Sequence, residues 1–83
     1  MAGAARSECY QAMLNALIAT RKDRNLSQAK LAKKLGKPPS FVAKYELAER
    51  RLDVVEFLVV LSALDEDPLE FIQRQMTLVP TKL

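Results

Sequence analysis

The sequence has no histidine and no tryptophan, and among its 83 residues there are one cysteine, Cys9, and two glycines, Gly3 and Gly36. Each shortage closes off a chemistry. Without imidazole there is no ordinary zinc ligand set, proton relay or nucleophile–base pair. Without a glycine-rich run there is no loop to cradle the phosphates of a nucleotide. Cys9 has no intrachain disulfide partner, reads as a packing residue and fits a reducing compartment. No apolar run approaches the ~18 residues of a membrane span, and the small residues Met1 to Ala5 lead directly into Arg6 and Glu8. The expectation is a cytoplasmic chain with no cofactor, metal or membrane. Enzymatic work by paired carboxylates is also disfavoured, because Asp65, Glu66 and Asp67 read as a solvated loop and a helix cap.

What is present is charge of uneven placement. Arg21 to Arg51 carries ten basic residues against three acids, a local charge of +7, whereas the stretch from Leu52 onward holds two basic residues against six acids, or −4. The modest formal net charge of +3 hides this asymmetry. Basic charge gathered in one segment is the footprint of a polyanion partner, since lysine and arginine displace counterions condensed on phosphate. Surface lysines also serve solubility alone, so charge by itself does not name the partner.

The length suits one domain, and a domain this small buries only about 60% of the surface its unfolded chain would expose, so all elements must share one core. The punctuation predicts five helices. Tyr10, Met13, Leu14, Leu17 and Ile18 form one stripe at helical spacing, giving a first helix from about Glu8 to Asp23. Ser27 caps a second, Leu31, Ala32 and Leu35 face inward, and Gly36 supplies a left-handed stop. Pro38 and Pro39 fit the start of a third helix, about Pro39 to Leu47, where the first amides lack partners anyway. Asp53 and Glu56 read as a capping box for a fourth, whose inward face is expected to carry Val54, Phe57, Leu58, Leu61 and Leu64. Asp67, Pro68 and Glu70 repeat that logic for a fifth helix, to about Met76. Residues 1–7 are expected to be a flexible lead, 8–76 the folded domain and 77–83 a tail. β-Branched alternation is missing, so the fold class is all-α.

A short second helix, a tight turn at Gly36 and a short third helix lie in the middle of the basic segment, the arrangement of a helix-turn-helix. The run Leu26-Ser27-Gln28-Ala29-Lys30-Leu31-Ala32-Lys33-Lys34-Leu35-Gly36, followed by Ser40-Phe41-Val42-Ala43-Lys44-Tyr45-Glu46, resembles the Xre-type, phage-repressor and Cro-like DNA-binding domains. The resemblance covers roughly residues 13 to 72 and implies a five-helix bundle of the lambda-repressor-like type. Several of its features have their own physical reasons. Ala32 lets the second and third helices approach closely, Gly36 takes a positive φ without strain, and Val42 with Tyr45 pins the third helix to the core. The resemblance also implies that Arg21 and Glu46 pair, leaving the guanidinium near a phosphate.

With Val42 and Tyr45 inward, the outward positions of the third helix are Pro39, Ser40, Phe41, Ala43 and Lys44. The resemblance places base-reading side chains at Pro39, Ser40 and Lys44, with Phe41 able to meet a thymine methyl. Pro39 departs from that pattern because it offers no donor, so direct readout is expected to rest on Lys44 aided by Ser40. Arg21, Gln28, Lys30, Lys37, Arg50 and Arg51 are expected to hold the phosphate backbone. Ala48 replaces a glycine common in the family, so the loop to Asp53 is expected to take another backbone path.

A helix-turn-helix of this size makes few contacts, and paired half-sites read by two-fold dimers are the usual remedy. A homodimer is therefore expected, with Leu69, Phe71, Ile72, Met76 and Val79 offering the contact. The function implied is sequence-specific binding of double-stranded operator DNA by a transcriptional regulator. A phage-like repressor, a restriction-modification controller and an antitoxin would look alike, and no sensing domain is expected in this length. The alternative is a protein-interaction module that uses the C-terminal helix to hold another protein.

Overall fold

Four helices of this chain end in the same way, and those ends set the spacing of the whole bundle. The computed structural model describes residues 2–83, with side chains described from residue 8. It contains α1 (Ala2–Asp23), α2 (Gln28–Leu35), α3 (Pro39–Glu46), α4 (Val54–Ala63) and α5 (Pro68–Gln75), followed by a single 3₁₀ turn at Met76–Leu78. After each of the first four helices one residue takes the left-handed conformation: Asn25 at φ 56°, Gly36 at 69°, Ala48 at 61° and Asp65 at 54°. Paired backbone bonds close each end, as in Lys37 N to Ala32 O (2.9 Å) with Gly36 N to Lys33 O (3.1 Å), and Glu49 N to Lys44 O (2.9 Å) with Ala48 N to Tyr45 O (3.1 Å). Such reversals satisfy the last carbonyls of a helix and turn the chain back on itself within two residues.

Helix starts match the expectations from sequence closely. The Ser27 hydroxyl accepts from Lys30 N, and Asp53 and Glu56 form the complete reciprocal capping box. Pro39 and Pro68 occupy first-turn positions of α3 and α5. The first helix departs from expectation. It begins at Ala2 rather than near Glu8. Ala2, Ala4 and Ala5 are the best helix formers, and the stretch contains no proline to stop propagation.

One core joins all five helices: Leu14 and Leu17 from α1, Leu31 and Ala32 from α2, Val42 and Tyr45 from α3, Val60, Leu61 and Leu64 from α4 and its cap, and Phe71 from α5. Phe71 packs edge-on against Phe57 with ring centroids 5.7 Å apart. Two expectations are corrected here. Phe71 belongs to the core of its own chain and is removed from the surface set. On α4 the inward residues are Phe57, Val60, Leu61 and Leu64, whereas Val54 and Leu58 face outward. Among the described residues no strand occurs, and no helix is long and apolar enough to cross a membrane.

Candidate nucleic-acid interface

The third helix is presented by what it buries. Val42 and Tyr45 are fully enclosed, and this rotation turns Pro39, Ser40 and Lys44 to solvent, with Ala43 half-buried at the margin. α2 is the helix most extensively packed against α3. Ala32, fully buried between them, permits the close approach. Two short helices joined by the Gly36 turn thus form a rigid bracket with one exposed edge.

The buried ends of that bracket are tied by charge. The carboxylate of Glu46, the last residue of α3, accepts from Arg21 Nε at 2.7 Å, Arg21 Nη2 at 3.1 Å and Gln28 Nε2 at 2.8 Å. Arg21 Nη1 donates to the Leu26 carbonyl at 2.8 Å. The pairing implied by the resemblance is therefore present, but its second part is corrected. Arg21 is buried and its guanidinium is committed within the protein, so it does not reach a phosphate. Gln28 remains half-exposed at the start of α2, with its amide nitrogen held by Glu46.

Arginine holds other parts of the fold as well. Arg50 makes a bidentate pair with Glu56, at 2.9 and 2.6 Å, and its guanidinium lies 4.9 Å from the centre of the Phe41 ring. That bond and the capping-box amide of Asp53 hold the Glu56 carboxyl down at about 2, below its ordinary 4.5. Arg51 stacks on Tyr10 at 4.3 Å, and Arg24 reaches the carbonyl of Leu64 at 2.9 Å. Phe41 is accordingly not an open outward residue. It is half-buried, edge-on to Tyr45 at 5.8 Å, with Lys37 and Arg50 over its ring. The expected detour of the loop to Asp53 is also corrected. Ala48 adopts the left-handed conformation that a glycine would take, so the turn after α3 closes in the ordinary manner.

Among the described residues every ion pair uses arginine as its cation. Lys30, Lys33, Lys34, Lys37 and Lys44 are exposed with no carboxylate partner, all on α2, the turn and α3. In the sequence both residue types count as one basic patch. The structure divides them into arginines that organise the fold and lysines that face water. The sequence does hold one clue to the role of Arg50: Glu56, six residues on, belongs to a capping box and is therefore fixed in place nearby.

The hydroxyl of Tyr45 is buried without a hydrogen-bond partner, and burial pushes its phenol above the usual range. Of the residues expected at a partner contact, Leu69, Ile72 and Met76 are exposed on α5 and its end. Val79 is partly exposed but lines a cleft with Cys9, Tyr10, Met13, Arg51, Pro80 and Leu83 of its own chain. No group of histidine, cysteine or acidic side chains among the described residues could hold a metal.

Comparison with known proteins agrees with this geometry. A helix-turn-helix family profile matches residues 17–71. Among solved structures, an XRE-family like protein from Pseudomonas syringae pv. tomato str. DC3000 is 39% identical, with a TM-score of 0.85, covering 90% of this chain and 92% of that one. No curated protein matches.

Proposed function

The chain belongs to the XRE-type helix-turn-helix family of DNA-binding regulators, and on that premise we propose that it binds operator DNA in the cytoplasm as a homodimer, one α3 helix entering the major groove at each half-site. The observation that carries this reading is the set of exposed lysines without carboxylate partners along α2, the turn and α3. Such lysines are neutralised by no carboxylate of the fold, so their charge is free to displace counterions from a phosphate backbone.

Within that arrangement Lys44 and Ser40 read base edges, with Pro39 and Ala43 making apolar contact beside them and Phe41 forming the wall behind. Lys30 and Lys37 hold phosphates, assisted by Gln28 at the start of α2. Arg50 and Arg51 complete the phosphate contacts in this reading, released for that role from Glu56 and Tyr10, which engage them in the unbound chain. Two polar base-readers are few for specificity, so sequence-dependent duplex shape contributes as well.

A titration with fluorescent duplex fragments tests the reading. Affinity is expected to fall steeply between ~50 and ~200 mM salt, with a slope set by the number of phosphates neutralised. Salt-independent binding, or no binding to any duplex at ~50 mM salt, would overturn it.

A further inference from the structure

Closing the core leaves two exposed apolar faces. One, on α5, carries Leu69, Ile72 and Met76. The other is on α4, where Val54, Val55, Leu58 and Val59 are 74, 69, 40 and 49% exposed. Positions four apart on a helix line up, so Val54 with Leu58 and Val55 with Val59 form two adjacent rows, and Ser62 continues the first. The rows hold no charged residue. Beside them runs a cleft lined by Leu35, Phe41, Val55, Val59 and Val60, with Lys37 and Glu56 also on its wall. A contiguous exposed apolar face next to a groove is unusual on a protein that has already filled its core.

We propose that a second copy of this chain seats on the α4 face in a two-fold contact. The inference rests on the operator-binding homodimer reading and names the surface that makes the dimer. Charge favours α4 over α5. A two-fold axis brings each surface against its own copy, so any charge on it meets the same charge. The α5 face is bordered by exposed Asp67 and Glu70 at its start, while Arg74 at its end is already paired with Glu66 of the same chain, so self-apposition there sets acids against acids. The α4 rows themselves are uncharged, and beside them stand Asp53, Glu56 and Lys37, a mix of signs in which the Lys37 of one copy can meet the Glu56 of the other across the axis.

Shape and placement agree. A ridge of valines standing beside an apolar groove is self-complementary, because each copy can lend its ridge to the other's groove. α4 also packs on α2, and Phe41 of α3 lines that groove, so the contact lies at the flank of the DNA-facing bracket.

Charge-swap variants of the full chain test the surface by sedimentation. Val55→Asp and Val55→Lys are each expected to raise the dimer dissociation constant at least about tenfold while the melting temperature stays near wild type. Mixing the two in equal amounts is expected to restore association, because opposite charges then meet across the axis, an effect that a merely structural role for Val55 would not produce. Leu69→Asp is expected to leave association unchanged. Should a Val55 variant fold poorly, Val54→Lys, at the most exposed position of the face, reads the same surface.

A wild type that stays monomeric at every concentration overturns the proposal, as does association that survives the Val55 changes or is lost only with Leu69→Asp. Failure of the two readings is distinguishable with sheared genomic duplex as the probe. Association that depends on α4, in a chain that ignores duplex, upholds this contact and removes the operator reading. Duplex binding by a strictly monomeric chain does the reverse.

Discussion

Glu46 accepts a 2.7 Å hydrogen bond from Arg21 across 25 positions of sequence, and the same carboxylate holds the side-chain amide of Gln28 at 2.8 Å. Three helices meet at this one group: the end of α1, the start of α2 and the end of α3. The orientation of α3 is fixed at its carboxyl end by charge and along its length by Val42 and Tyr45. Removing the carboxylate would leave a buried guanidinium with only the Leu26 carbonyl. Glu46→Ala is expected to destabilise the fold by about 3–5 kcal/mol, whereas the double change Arg21→Met with Glu46→Leu returns to near wild type. Urea unfolding of the three chains checks both statements, and a double variant no better than the single would contradict them.

Ala48 sits at φ 61°, in the region where a β-carbon crowds the following carbonyl oxygen. Ala48→Gly is expected to raise stability by about 1 kcal/mol, with the urea midpoint moving up and the slope unchanged. Gly36 supplies the converse. A β-carbon added there meets nothing within 4 Å, so Gly36→Ala is penalised only through its φ of 69° and is expected to cost about 1 kcal/mol.

Glu56 ties one acid-sensitive contribution to an identifiable place on the surface. Its carboxyl is held at about 2 by Arg50 and the Asp53 amide, against an ordinary 4.5, so the unfolded chain takes up the proton first. The stabilising contribution is complete above the ordinary value and is lost as pH falls from 4.5 toward 2. Melting temperatures measured across that range are expected to decline more steeply for the wild type than for Glu56→Gln, which has no proton to gain at this position.

Lys44 and Lys37 separate base reading from phosphate holding. Lys44→Ala is expected to reduce discrimination between duplexes by about 1–3 kcal/mol, whereas Lys37→Ala weakens all duplexes alike and lowers the salt slope by about one. Competition titrations at several salt concentrations measure both quantities. Identical behaviour of the two variants would refute the division.

Capping boxes, prolines and glycine turns are local, and for that reason the roles of Ser27, Gly36, Pro39, Asp53, Glu56 and Pro68 are legible in the sequence. The stripe on α1 is legible too, because polar residues interrupt it and leave only one face to bury. α4 is not. Its sequence, Val-Val-Glu-Phe-Leu-Val-Val-Leu-Ser-Ala, is apolar on nearly every side, so periodicity does not say which face turns inward. Phe71 is ambiguous for a related reason: an apolar residue on a short amphipathic helix reads alike whether it fills its own core or faces outward. The split between arginine and lysine is equally hidden, since formal charge does not reveal which cation finds a carboxylate.

The sequence alone determined where α2 to α5 start and stop, that the helices share one core, and that positive charge gathers around the turn between α2 and α3. Those properties depend on neighbours within a few residues or on composition. Tertiary structure decided which cations remain available, by burying Arg21 on Glu46 and fastening Arg50 to Glu56, and which face of α4 stays bare. Both outcomes depend on which distant groups come within hydrogen-bond or van der Waals range, and only the folded packing sets those distances.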